Sequence, residues 1–134
     1  MYKITKKIEI AGSHNLELPY DSPCQRIHGH NWIITVEVIS KVLLPSGMII
    51  DFSKISKTVK QLDHRNLNEI LPKGINPTAE NIAHWIAQEV QKEINKEEAN
   101  YLSAPNKMPP EEALPKVSKV TVQESEGNIA CYTP

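Results

Sequence analysis

Two apolar periods alternate along the chain. From Tyr2 to Ala11, Ile4, Ile8 and Ile10 fall on even positions, and Lys3, Lys7 and Glu9 on odd ones. A period of two is that of a half-buried strand. Lys6 interrupts the apolar face, and nothing in the sequence explains it. Asn15 to Arg26 has no period and holds Pro19 and Tyr20-Asp21-Ser22-Pro23, so it reads as a long loop. Alternation returns from His28 to Ile39, with Trp32, Ile34, Val36 and Val38 on one face and Thr35 and Glu37 on the other. Leu44-Pro45-Ser46-Gly47 predicts a turn, and Met48-Ile49-Ile50 a short apolar strand.

The period then changes to that of a helix. Asp51 is placed to cap a first helix whose Phe52, Ile55, Val59 and Leu62 share one face. A break at 72–77 follows. Thr78 then caps a second helix with Ile82, Ala83, Ile86, Val90 and Ile94 as its apolar stripe. The segment 100–115 holds four prolines and few large apolar groups, which predicts an exposed insertion. Val117 to Glu124 is again a strand, Glu126-Gly127-Asn128 turns, and Ile129 to Thr133 closes a hairpin. In its main elements the order is two strands, two helices, two strands. That is an α+β domain spanning residues 1–134, a four-stranded antiparallel sheet with two helices on one face. Such a sheet leaves strand edges to hide, so we expect an oligomer in which further copies close the edges into a barrel.

Composition narrows the function. Lys plus Arg is 15 and Asp plus Glu is 16, a net charge of −1 over 134 residues. A protein held to nucleic acid by phosphate neutralisation needs a basic excess, and only Arg26 and Arg65 could supply bidentate contacts. No apolar run approaches the ~20 residues of a membrane span, and the alternating N-terminus is not a secretion signal. Two cysteines, Cys24 and Cys131, make no disulfide framework. These features predict a single cytoplasmic, globular domain.

The histidines carry the chemistry. His28 and His30 are two apart on a strand and share the face of Trp32, Ile34 and Val36. His14 joins the even face of Ile4, Ile8 and Ile10 if the first strand keeps its register through Gly12. Three imidazoles then converge at the end of an apolar sheet face, where buried ring nitrogens need partners. A divalent metal partners all three, and Zn²⁺ suits a set of neutral nitrogens. The bland alternative, a chance H-x-H or core hydrogen bonding, is outweighed by the matching parity of His14. Cys24 precedes His28 by four residues. It fits a fourth ligand of a closed structural site, a thiolate base beside an open zinc, or an inert loop residue.

Other residues are weaker signals. Asp63 and His64 adjoin at the end of the first helix, where an Asp can orient an imidazole for proton transfer. Chance adjacency at a helix C-terminus is the competing account. Glu124 points with Val120 and Val122, and a carboxylate there could accept two parallel N–H groups of a guanine-like ring, or turn to solvent. Thr78 and Glu80 read first as helix-capping residues. Cys131 and His84 read as packing residues.

In order along the chain stand Ser13-His14, Cys24 with His28-Gly29-His30-Asn31, Gly47 to Asp51-Phe52, Leu62-Asp63-His64 with Leu67-Asn68, Pro77-Thr78-Ala79-Glu80-Asn81, and Glu124. Together they resemble the 6-pyruvoyl-tetrahydropterin synthase family of the tunnelling fold, over nearly the whole chain apart from 100–115. The C-x-x-x-H-G-H spacing is closest to the 6-carboxy-5,6,7,8-tetrahydropterin synthase branch of queuosine biosynthesis. The resemblance implies zinc on His14, His28 and His30, with Cys24 as the proton-moving thiol and Asp63 and His64 as its relay. It also implies a pterin ring anchored by Glu124, further pocket contacts at Thr78 and Glu80, and trimers stacked into homohexamers with sites at subunit interfaces. The implied reaction is zinc-dependent conversion of 7,8-dihydroneopterin triphosphate to 6-carboxy-5,6,7,8-tetrahydropterin, acetaldehyde and triphosphate. The alternatives are the 6-pyruvoyl lyase and a non-catalytic, zinc-stabilised assembly domain. Two positions depart from the family pattern: Ile10 stands where Phe is usual and Gly12 where Ala is common.

Overall fold

The computed structural model describes residues 1–101 and 109–134. β1 (Tyr2–His14) and β2 (His28–Ser40), 13 residues each, pair antiparallel without interruption from Tyr2↔Ser40 to His14↔His28. β1 thus runs three residues past the predicted end at Ala11. Gly12 and Ser13 add no apolar signal, yet their backbones continue the ladder opposite His30 and Gly29. The long connection between the strands contains one short 3₁₀ turn, Pro23–Gln25, whose first N–H groups include that of Cys24, bonded to the Ser22 hydroxyl at 3.2 Å.

The sheet has five strands, not four. Arg65–Asn66 forms a two-residue β3 that lies parallel to β1 at Gly12 and Ser13. Two residues cannot display a period of two, so the sequence pattern passes over it. β4 (Lys116–Ser125) pairs with β2, and β5 (Asn128–Tyr132) closes the hairpin, giving the order β3-β1-β2-β4-β5. All pairs but β1–β3 are antiparallel.

Three α-helices replace the expected two: α1 (Phe52–Val59), α2 (Leu67–Ile70) and α3 (Ala79–Tyr101). The single turn of α2 is too short to show a 3.6 period. It starts where the Asn66 side chain accepts the Asn68 N–H at 3.0 Å. Asp51 caps α1 by accepting the Ser53 N–H at 2.8 Å, and Thr78 Oγ1 accepts the Asn81 N–H at 3.2 Å at the head of α3. Met48-Ile49-Ile50 is not a strand. The Leu44 N–H closes a turn onto the Met48 carbonyl at 2.8 Å, and only Ile49 and Ile50 are buried. An apolar run reports burial, not strand geometry.

One core joins the helices to the even face of the sheet: Ile8, Ile10, Trp32, Ile34, Val36, Val38, Val120 and Val122 meet Ile55, Val59, Ile82, Ile86, Val90 and Ile94. Each such side chain contributes about 1.5–3 kcal/mol relative to exposure. Phe52 is the exception on the α1 stripe: it is exposed and lies under the Lys6 ammonium at 5.9 Å. This accounts for Lys6 on the apolar face, because its stem stays half-buried while its charge reaches out over a ring. Cys131 is exposed on the other face, 3.4 Å from the Thr121 hydroxyl, and is not a packing residue. Residues 102–108 of the expected insertion lie outside the described residues. Beyond them Glu111–Ala113 makes a short 3₁₀ turn, with Ala113 buried and its carbonyl accepting the Lys41 N–H at 3.0 Å.

Candidate metal centre

The β1–β2 register builds the site. His14 ends β1 directly opposite His28, which starts β2, and His30 follows two residues on along the same face. The three rings converge, with centroids 4.5 Å (His14–His28), 5.2 Å (His14–His30) and 5.0 Å (His28–His30) apart. Trp32 forms the floor. It is wholly buried, meets His14 and His30 edge-on at 4.9 and 5.2 Å, and donates its indole N–H to the Gly12 carbonyl at 3.1 Å.

Backbone carbonyls set the tautomers. His14 Nδ1 lies 2.7 Å from the Pro77 carbonyl oxygen, and His28 Nδ1 2.7 Å from that of Arg26. A carbonyl only accepts, so both Nδ1 atoms carry the proton and both Nε2 atoms keep a free lone pair. A metal-ligating histidine takes this arrangement. His14 Nε2 is buried without a hydrogen-bond partner. Burial holds the His14 imidazole below its ordinary pKa, outweighing the raising effect of the Pro77 carbonyl, so the neutral ligand form is favoured.

Glu124 completes the cluster. The β4–β5 pairing runs from Gln123↔Ile129 to Ser125↔Asn128, which leaves Glu124 as an extra residue without a cross-strand partner. Bulges of this kind aim side chains at functional sites. Its Oε1 lies 3.0 Å from His30 Nε2. That nitrogen nevertheless lacks a properly aligned hydrogen bond, so the closeness is convergence and not pairing. One ligand atom from each of His14, His28, His30 and Glu124 lies within 4.8 Å of all the others. Tetrahedral zinc with ligands at ~2.0–2.2 Å needs them about 3.4 Å apart, so the four residues fit it with small shifts.

The remaining predicted residues lie outside this cluster. Cys24 is half-buried in its 3₁₀ turn, with its carbonyl accepting the Leu16 N–H at 2.8 Å, and it does not join the four ligand atoms. Asp63 and His64 do meet, Oδ1 to Nδ1 at 3.1 Å. They can do so because His64, just beyond a 3₁₀ turn at Lys60–Leu62, adopts a left-handed conformation, φ 57°, costly for a residue with a Cβ. Asp63 Oδ1 also accepts the Ala11 N–H at 2.9 Å, and this bond holds its carboxyl below the ordinary range. The His64 ring is largely exposed and, with Ser13, Gly29, His30, Asn31 and Arg65, lines an open cleft of about 470 Å³. Thr78 is occupied as a helix cap, and Glu80 is exposed in the first turn of α3.

The sequence profile of the family described as 6-pyruvoyl tetrahydropterin synthase matches residues 3–134. The chain belongs to that family. Among its relatives, a Pyrococcus horikoshii protein named provisionally as a 6-carboxy-5,6,7,8-tetrahydropterin synthase is 48% identical over 68 residues, 48% of this chain and 43% of that one. A Pyrococcus furiosus dihydroneopterin monophosphate aldolase is 40% identical over 74 residues, 52% of this chain and 60% of that one. The chain spans about half the length of these two relatives. A Rickettsia bellii 6-carboxy-5,6,7,8-tetrahydropterin synthase is 28% identical over 112 residues, 67% of this chain and 80% of that one. The Caenorhabditis elegans 6-pyruvoyl tetrahydropterin synthase structure superposes with a TM-score of 0.67 at 23% identity, over 99% of this chain and 95% of that one. This last likeness is one of fold. No helix among the described residues is long and apolar enough to cross a membrane.

In this tetrahydropterin synthase fold, three contributors escape sequence reasoning. The carbonyls of Pro77 and Arg26 orient the histidines, and backbone groups leave no trace in residue identity. The bulge at Glu124 has none either, because the parity of Val120, Val122 and Glu124 is the same with or without it.

Proposed function

We propose that this protein is a zinc-dependent lyase converting 7,8-dihydroneopterin triphosphate to 6-carboxy-5,6,7,8-tetrahydropterin, acetaldehyde and triphosphate on the route to queuosine. The observation that carries the reading is the cluster of three imidazoles converging beside Glu124, two of which, His14 and His28, have their Nδ1 protons tied to carbonyls. His14, His28 and His30 would hold the metal, which when bound would supply Lewis-acid stabilisation of negative charge on side-chain oxygens of the substrate. Glu124 anchors the pterin by accepting its ring N–H groups, and such positioning is worth several kcal/mol of barrier. Cys24 takes the proton from the carbon next to the ring. His64, oriented by the Asp63 carboxylate 3.1 Å away, moves protons on the outer side of the substrate. Thr78 accepts the Asn81 N–H and so keeps its own O–H to donate to the pterin, with Glu80 beside it.

The full site forms between copies. β3 is only two residues long, β5 pairs with no further strand beyond β4 among the described residues and exposes Ile129, and the His64 ring is largely exposed. A homohexamer of two trimers covers those edges and brings His64 toward a neighbouring cluster. Both cysteines are free, which suits work in the cytoplasm.

The test is product mass after the zinc-loaded protein is incubated with the triphosphate. Carboxy-tetrahydropterin with acetaldehyde is expected. A pyruvoyl product moves the protein to the sister lyase. Glycolaldehyde release would favour aldol cleavage, the chemistry named for the Pyrococcus furiosus relative. No turnover leaves the metal-stabilised assembly domain.

A further inference from the structure

Glu124 stands where two tasks compete. A carboxylate that anchors a pterin must offer its oxygens to ring N–H groups, yet here Oε1 is drawn among the imidazoles, 3.0 Å from His30 Nε2 and within 4.8 Å of the other two ligand nitrogens. The contact is not a hydrogen bond, because Nε2 lacks the alignment for one. A carboxylate oxygen this close to a ring nitrogen, with no aligned hydrogen bond between them, is placed to share a cation with it. The bulge adds the means of exchange. Glu124 is the one residue between Gln123 and Ser125 without a partner on β5, and its side chain is about a quarter exposed. It can therefore re-aim without breaking a cross-strand pair.

Building on the metal centre and pterin site proposed above, we propose that Glu124 is an exchanging ligand, holding the fourth metal position in the resting protein and releasing it to accept the pterin ring. In the resting state the site is closed as His₃Glu, which keeps the metal four-coordinate. When the ring arrives, Glu124 accepts its N–H groups and the fourth position opens to the substrate side chain. Opening is thus tied to a correctly seated pterin. No covalent bond is made or broken in the exchange, and charge moves only with the carboxylate.

The exchange has a thermodynamic signature independent of turnover. Unsubstituted pterin has the ring N–H groups and no side-chain hydroxyls, so it withdraws Glu124 from the metal and gives no ligand back. Pterin must then weaken zinc binding, and zinc must weaken pterin binding by the same factor. Zinc affinity of the wild-type protein, measured by chelator competition, is expected to fall at least about fivefold in saturating pterin, within the usual range of coupled sites. Glu124→Gln keeps the shape but is a poor ligand. Its zinc affinity should fall roughly tenfold or more without pterin, and the Co²⁺-loaded variant should show a shifted visible spectrum. Glu124→Asp reaches less far and serves as the second variant should Gln impair folding; its Co²⁺ spectrum should shift too. His28→Ala is the reference that tests the centre itself.

If wild-type zinc affinity is the same with and without pterin, and Glu124→Gln keeps that affinity and spectrum while His28→Ala loses the metal, the exchange is overturned and the three-histidine centre stands. If His28→Ala also retains stoichiometric zinc, the metal reading fails and the exchange with it.

Discussion

Trp32→Phe tests whether the indole floor holds the histidine cluster. Trp32 is wholly buried, touches His14 and His30 edge-on, and ties its N–H to the Gly12 carbonyl at 3.1 Å. Phe keeps one ring and loses the donor. The lost hydrogen bond costs about 1 kcal/mol. The volume lost is roughly 40 Å³, and at about 24 cal/mol per Å³ of residual cavity this adds about 1 kcal/mol, with up to about 1 kcal/mol more for lost apolar transfer. Unfolding entropy of about 2.1 cal/mol/K per residue over 134 residues is about 280 cal/mol/K, so a loss of 2–3 kcal/mol lowers Tm by about 7–11 °C. The assay is a thermal melt of the metal-free protein, followed by zinc competition. We expect that drop in Tm, with zinc stoichiometry retained and affinity reduced. Trp85→Phe, at a half-buried position on α3, is the control and should cost less than half as much. A Trp32→Phe shift under about 3 °C, or one no larger than the control, would refute the account of the floor.

Cys24→Ala should keep fold and zinc and lose turnover, because Cys24 lies outside the ligand cluster; loss of zinc from that variant would make it a ligand. Asp63→Asn can still accept the Ala11 N–H, though without the carboxylate's charge, and cannot stabilise a charged imidazole, so its melt should drop only slightly while its rate falls and its pH profile moves; an unchanged profile would remove Asp63 from the relay. Burial lowers the His14 pKa in the folded state, so between that lowered value and 6.5 the unfolded chain binds more protons than the folded one. Urea midpoints of the metal-free protein should therefore fall as pH drops below 6.5, and His14→Gln should flatten that slope. Asp63 has the depressed-carboxylate pattern, and its contribution is lost only below its ordinary value of 3.8, in a separate window.

What the sequence disclosed follows from how long each element is. β1, β2, β4 and α3 repeat their period several times, so burial of Ile8, Ile10, Ile34, Val36, Ile82, Ile86 and Val90 was legible. β3 and α2, two and four residues long, are made by contacts with β1 and by the Asn66 cap, and no local pattern encodes them. Ile49 and Ile50 misled because apolar character reports only that a residue is inside. The Asp63–His64 pair was visible as an adjacency, but its contact depends on the left-handed backbone at His64. A dihedral angle fixed by tertiary structure is not written in two letters of sequence.

The convergence of His14, His28 and His30 was legible because strand parity is unforgiving. In the β1–β2 pair, Ile8↔Ile34, Ile10↔Trp32, Gly12↔His30 and His14↔His28 all lie on one face. A slip by one residue would match Ile8 with Ile33 or Thr35 and expose half the core. The same slip would carry His14 away from His28. The apolar residues that stabilise the hairpin therefore enforce the register that brings the imidazoles together, and their convergence costs no separate ordering of β1 and β2. Gly12 shows how tightly the two demands are joined. A Cβ there would lie 3.2 Å from Leu67 Cδ2 and 3.4 Å from Trp32 Nε1, so the bare position lets α2 and the indole close together beneath the imidazoles. Glu124 alone stands outside this constraint. It sits at a bulge on the far strand pair, where the ladder does not dictate its aim, and so the one ligand-cluster residue free to exchange partners is the one the register leaves free.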